Sequence, residues 1–204
     1  MGYTLSGGTV TAMRPDDQKA YFEFLQELRR ESDRGLALIG GAFLDEKLAA
    51  ILAEFFASES LGLLHGKNAP LGNFSARIET CFALGLIEEG ERNECDCIRR
   101  IRNEFAHKLV GTSFKQQRIV DLCKNLKSPL PDGPDAHPPR FQFENAVIAM
   151  SSRLFYRPQY VAMEKREAKQ WIDPAQVGWR RTADELPPDD MPVIAFGPVF
   201  RKQP

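Results

Sequence analysis

Residues Ile98 to Leu109 read IRRIRNEFAHKL, and the reading of this stretch decides the fold. At 3.6 residues per turn, Ile98, Ile101, Phe105 and Leu109 form one stripe that can face a core. Arg102 falls at the edge of that stripe, where its guanidinium leaves the apolar seam and needs an acidic or anionic partner. Asn103 and His107 are four apart and stand one above the other on a different face. Three polar groups able to grip a phosphate, or each other, are thus packed into six residues.

The rest of the composition limits what such a helix can serve. A chain of 204 residues suits one good-sized domain plus a tail. With 43% hydrophobic and 27% charged residues, it has the balance of a soluble globular protein. Its 27 basic and 28 acidic residues leave a net charge of -1, which exerts no long-range pull on nucleic acid. Arg99-Arg100-Arg102 is the one basic cluster. The N-terminus carries no apolar run that reads as a signal peptide, and no stretch is long enough to span a membrane, so a cytoplasmic protein is expected. Four cysteines without a CxxC pair suit reduced thiols. Cys95-x-Cys97 has no histidine at ligand spacing, so neither a metal nor another cofactor is expected.

Outward from the central stretch, the chain punctuates itself into helices. On its C-terminal side, Phe114, Ile119, Leu122, Cys123 and Leu126 suit a helix within Ser113 to Leu126. On its N-terminal side, Asn73 or Ser75 can cap a helix through Phe74, Ile78, Cys81 and Phe82 that ends at Gly85, with Arg77 at the edge of its stripe. Ser58 to Gly72 reads as a loop. Glu31 to Ala57 holds a helix capped by Ser32 or Asp33, apolar on most sides over Leu36, Leu38, Ile39, Ala42, Phe43 and Leu44, and therefore central. Gly40 and Gly41 lower its propensity, which implies the close approach of a neighbouring helix. Before it, Pro15 with Asp16 and Asp17 opens a first helix with Phe22, Leu25 and Leu28 as its stripe and Tyr21 and Phe24 beside them, ending near Arg30.

Lys127 to Arg140 (KSPLPDGPDAHPPR) is a proline-rich strap. Phe141 to Tyr156 suits a last helix, stopped by Pro158, and Glu164 to Lys169 is a charged connector. The organisation is then a frayed N-terminus at 1–14, an all-α domain at 15–160 that includes the strap at 127–140, and a connector with a small appendage at 161–204. Val193, Ile194, Phe196, Val199 and Phe200 around a Gly-Pro turn give that appendage a strand or short-hairpin signal.

Taken together, Glu31 to Leu48, Asn68 to Ile87 and Ile98 to Leu109 resemble the three signature blocks of the mannitol operon repressor family, across about two thirds of the chain. The resemblance implies an all-α fold and a role as a bacterial transcriptional regulator. No helix-turn-helix with a basic recognition helix accompanies it, so regulation is expected to run through a regulatory protein partner or a second copy of the chain. Direct contact with DNA or RNA stays open. Trp179, Leu186-Pro187 and Val193 also resemble the opening of a small β-rich domain found in phage and prophage proteins, which implies no activity.

A second resemblance lies inside the central helix. Arg102-Asn103-x-x-x-His107 is similar to the Arg-polar-x-x-x-His signature of HEPN domains, some of which cut RNA without metal. That likeness implies a site shared across a dimer. His107 would move a proton at the ribose 2′-hydroxyl or the leaving 5′-oxygen, Arg102 would hold the phosphate and Asn103 would orient it. Arg102 and His107 point roughly 140° apart on an ideal helix, so a single protomer could not converge both on one phosphate. The competing structural reading pairs Arg102 with Asp33 and lets Asn103 and His107 bond the loop around Asn68 to Gly72. In it, Glu31, Asp33, Arg34, Arg77 and Arg99 form a polar network, with Asp33 or Glu31 reaching Arg102 or Arg77. His65 and His137 are expected in solvent, and Phe55, Phe56, Phe74, Phe82 and Phe105 in the core. The expected architecture is all-α, a bundle of about six helices with a short C-terminal appendage.

Overall fold

The computed structural model describes residues 3–5, 8–10, 14–108, 111–132 and 137–171, the first two segments as backbone alone. Strands β1 (Tyr3–Leu5) and β2 (Gly8–Val10) pair antiparallel, with Tyr3 opposite Val10, within the stretch expected to be frayed. Eight helices follow among the described residues: α1 (Pro15–Arg30), α2 (Asp33–Phe55), α3 (Leu61–Leu64), α4 (Phe74–Ala83), α5 (Glu89–His107), α6 (Gln117–Cys123), α7 (Pro139–Leu154) and α8 (Arg157–Met163). The expected bundle of about six is present, supplemented by the one-turn α3 and by α8. The chain divides into a unit spanning Met1–Lys165 and a second spanning Arg166–Pro204. The expected hairpin at 193–200 and the landmarks Trp179, Leu186, Pro187 and Val193 lie outside the described residues.

The helix expected to be central is so. α2 packs against α1, α4, α5, α7 and α8. Leu36, Leu44, Leu48, Ile51 and Leu52 are fully buried, each contributing roughly 1.5–3 kcal/mol through removal from water. The Ser32 side chain caps it by accepting from the Gly35 amide at 3.0 Å. Gly40 and Gly41 do admit close neighbours. A Cβ on Gly40 would sit 3.0 Å from Val147 of α7, and one on Gly41 would sit 2.8 Å from Cγ of Arg102 on α5.

α1 begins at Pro15 and ends at Arg30 as its caps imply, and Leu28 of its expected stripe is buried, but the stripe shifts from Phe22 to Tyr21. Tyr21 and Leu28 go inward with Phe24 beside them, and Phe22 is 55% exposed. The Tyr21 hydroxyl explains the shift, since it reaches Ser151 at 2.5 Å and Ser152 at 2.8 Å on α7. α4 opens on Asn73, whose side chain accepts from the Ala76 amide at 2.9 Å. It closes on Gly85, which at φ +70° lets the Leu86 amide reach back to Cys81 O at 2.8 Å and its own amide reach Phe82 O at 2.9 Å. Phe82, expected in the core, stays partly exposed under the guanidinium of Arg92.

α5 opens with a reciprocal cap, in which the Glu88 side chain accepts from the Glu91 backbone amide and the Glu91 side chain accepts from the Glu88 amide. α6 is shorter than expected, with Phe114 buried ahead of it. Pro158 does not simply stop the last helix: it stands in the first turn of α8, where its missing N–H costs nothing. No helix of the described residues is long and apolar enough to cross a membrane.

Candidate functional site

The stripe of α5 settles where the site can be. Ile98, Ile101 and Phe105 are fully buried, and the Phe105 ring continues through Phe114 (4.9 Å between centroids) to Phe143 of α7 (5.4 Å). Leu109 lies outside the described residues. With this stripe locked inward, Arg102 is held at the rim against Gly41, Asn103 turns toward α6, and His107 is the exposed last residue of the helix.

Of the three residues read as a motif, two come together. Arg102 Nη1 donates to Asn103 Oδ1 at 3.1 Å. His107 joins neither of them, and among the described residues no carboxylate or carbonyl orients its ring. Asn103 and His107 do not bond the loop around Asn68 to Gly72.

Asn103 lines an open groove of about 710 Å³ between α5 and α6, with Arg100, Glu104, Arg118, Asp121, Leu122 and Asn125. The groove is close to electrically balanced. Glu104, 14% exposed, takes Arg118 at 2.7 Å and Lys108 at 3.4 Å. Asp96 takes both Arg99 at 2.6 Å and Arg100 at 2.7 Å. Asp121 bonds Lys124 and Gln117, which hold its carboxyl below the usual range.

Glu31, Asp33, Arg34, Arg77 and Arg99, expected in one polar network, instead make separate contacts. Asp33 reaches neither Arg102 nor Arg77. It takes Arg140 of α7 at 2.6 Å and the Phe114 amide at 3.1 Å. Arg140 also donates to the Glu31 carbonyl at 2.6 Å. Arg34 donates to the carbonyl of Lys108, which covers the C-terminal end of α5. Arg77 is buried rather than marginal: it pairs with Asp45 at 2.8 Å and donates to the carbonyls of Leu71 (2.9 Å) and Leu64 (2.8 Å), fastening the 58–72 loop to α2. Burial pushes the Asp45 carboxyl up, against the pull of Arg77 and Arg102. His65 is exposed as expected, whereas His137 is partly covered, bonding Pro131 O at 3.1 Å and stacking on Phe141.

Sequence reasoning missed two buried carboxylates on α5. Glu91 takes both guanidinium nitrogens of Arg157, at 2.8 and 2.9 Å. Glu94 accepts from the amides of Lys127 (2.8 Å) and Ser128 (2.9 Å) and from the Ser128 hydroxyl (2.6 Å), tying down the start of the strap. The signal was there: both fall at helical spacing from Ile98 and Ile101, inside the apolar stripe, where a carboxylate must be paired. All four cysteines are free and buried. Burial pushes the thiols of Cys81 and Cys123 up to about 12 and that of Cys97 to about 11, and raises Cys95 as well. Among the described residues no group of three or more His, Cys, Asp or Glu could hold a metal ion.

No family model matches the chain, and no curated protein matches it. Among solved structures, that of the MtlR–HPr complex from Escherichia coli is similar, with 19% sequence identity and a TM-score of 0.49, over 71% of this chain and 99% of that one.

Proposed function

We propose that this chain is a non-catalytic regulatory module of the mannitol operon repressor type, acting through a protein partner rather than by reading DNA. The three sequence blocks that resemble the family, 31–48, 68–87 and 98–109, support the regulatory role. The observation that carries the choice against a nuclease acting within one protomer is the divergence of Arg102 and His107. Arg102 lies along Gly41 of α2, while His107 is exposed at the end of α5 with no group among the described residues to orient it. General acid–base work on a phosphodiester needs both on one phosphate, which this chain could supply only with a second copy.

Charge argues the same way against direct DNA contact. Arg100, which shares Asp96 with Arg99, and Arg118, which shares Glu104 with Lys108, are the groove's arginines, and each is held in an ion pair. A duplex binder needs several uncompensated cations to release counterions, and its affinity falls steeply with salt.

The test uses the whole chain beside His107→Ala and Arg102→Ala, incubated with RNA in the absence of metal. No cleavage is expected from any of the three. Cleavage by the parent chain that both folded variants lose would overturn the reading in favour of the HEPN-like ribonuclease. A gel shift across a salt series provides the second arm: weak binding with a shallow slope is expected, and a steep slope with tight duplex binding would restore direct DNA contact.

A further inference from the structure

We propose that the side-chain amine of Lys47 is an acylation site, taking the acyl group of a small acyl phosphate. Lys47 stands on α2, one turn beyond Phe43. Among the described residues it is the one lysine that is not exposed. It has no hydrogen bond there, and no carboxylate lies within ion-pair distance of it. Two rings cover its nitrogen instead. Nζ lies 5.3 Å from the centre of Phe43 and 4.7 Å from that of Phe155, at the end of α7.

The enclosure is held from behind by α1. Phe24 stacks on Phe43 at 4.4 Å, and Tyr21 meets Phe155 edge-on at 5.4 Å. A ring face attracts an ammonium, but it replaces water that would hydrate the charge better. Burial accordingly lowers the Lys47 pKa, opposed by Asp17 of α1 and by Glu46. Asp17 acts from further off, with its carboxylate already accepting from the Tyr156 hydroxyl and from Arg14, each at 2.7 Å. More of the neutral amine is then present than at a fully hydrated lysine, and the neutral amine is the nucleophile.

The donor's class follows from the charges around Asp17. Both Arg14 and Lys47 act on that carboxylate, and Arg14 is 73% exposed. A phosphate carried on the acyl group meets a second cation there, which an uncharged leaving group would not use. In the transfer, the lone pair of Nζ attacks the carbonyl carbon and a C–N bond forms. The C–O bond to phosphorus-bound oxygen breaks, inorganic phosphate leaves with the bonding pair, and the proton shed by nitrogen passes to water. Nothing is oxidised or reduced. The product is a neutral amide, so the attraction between ammonium and rings is lost where α1, α2 and the end of α7 meet.

The test incubates the full chain with acetyl phosphate at mildly alkaline pH and follows each lysine by peptide mass spectrometry. Lys47 is expected to gain acetyl about threefold or more faster than the exposed Lys19 and Lys67. Asp17→Asn keeps an acceptor for Tyr156 but removes a charge that favours the ammonium, so it should speed Lys47 and leave Lys67 unchanged. If that variant misfolds, Glu46→Gln, at an exposed position, decides in its place. The uncharged thioester N,S-diacetylcysteamine should show less preference for Lys47. Acetylation of Lys47 no faster than of Lys67, acetylation only after denaturation, or a rate indifferent to the deciding variant would each overturn the site. A preference reproduced in full by the thioester would overturn the acyl phosphate as its donor.

Discussion

Arg102 and Gly41 share one volume: Cγ of the arginine lies 2.8 Å, and its Cβ 3.1 Å, from where a β-carbon on residue 41 would be. The absence of a side chain on α2 is therefore what lets α5 bring its rim arginine down onto the central helix. The atoms in the way belong to the root of the side chain, which cannot swing aside without moving α5.

Gly41→Ala should accordingly destabilise the bundle, although alanine is the better helix former by about 1 kcal/mol. Overpacking costs roughly 1–3 kcal/mol, so a net loss of about 1 kcal/mol and a melting temperature lower by about 2–4 °C are expected. In an Arg102→Ala background the same substitution should become neutral or stabilising. A double-mutant cycle by thermal melting checks this, and additive effects would show that the two residues do not compete for space.

Arg77 links three segments through Asp45, Leu64 O and Leu71 O. Arg77→Met leaves a half-buried carboxylate and two carbonyls without their donor, and should cost about 3 kcal/mol. Asp45→Asn, which preserves an acceptor, should cost less. Limited proteolysis should cut the 58–72 loop of the methionine variant well before the parent. Equal cutting in both would mean that the loop is held by something other than this arginine.

Glu94 anchors the start of the strap through three hydrogen bonds. Glu94→Ala should lower stability by about 2–3 kcal/mol. Hydrogen exchange at the amides of Lys127 and Ser128 should accelerate more than elsewhere in the bundle. Unchanged exchange at those two amides would refute the anchoring role.

The buried thiols make stability sensitive to alkali. In the folded chain Cys81 and Cys123 are pushed up to about 12 and Cys97 to about 11, from an ordinary 9.0. The folded value lies above the unfolded one, so the contribution is intact below pH 9 and is lost as the pH rises toward the folded values. Each thiol then removes about 1.4 kcal/mol per pH unit, because the unfolded chain ionises first. Guanidinium midpoints measured from pH 7 to pH 10.5 should be level at first and fall above pH 9, and less steeply in Cys123→Ala. A level profile throughout would show that these thiols ionise as readily folded as unfolded.

Much of the helical plan was legible because its signals are local. Pro15, Ser32 and Asn73 open helices through contacts within four residues of themselves, and Ile98, Ile101 and Phe105 share a face by helical periodicity alone. The candidate site was legible only in part. The arginine–asparagine contact joins sequence neighbours, whereas the pair expected between Arg102 and Asp33 does not form. On α1 only Phe22 was misplaced, because it and Tyr21 look equally apolar until α7 supplies Ser151 and Ser152 for the tyrosine hydroxyl.

The linear order of residues determined that α2 would be central, that its glycines would admit a neighbour, and that α5 would turn Arg102 to the rim with His107 elsewhere. These follow from helical pitch and from which side chains water rejects. Tertiary structure alone decided which carboxylate each arginine would meet. Asp33 found Arg140, 107 residues away, and Glu91 found Arg157, 66 away, while Arg102 came to lie over Gly41 with Asn103 as its hydrogen-bond partner. Ion pairing acts over a few ångströms, and the relative register of packed helices, set by the apolar core, brings some charges within that distance and keeps others outside it.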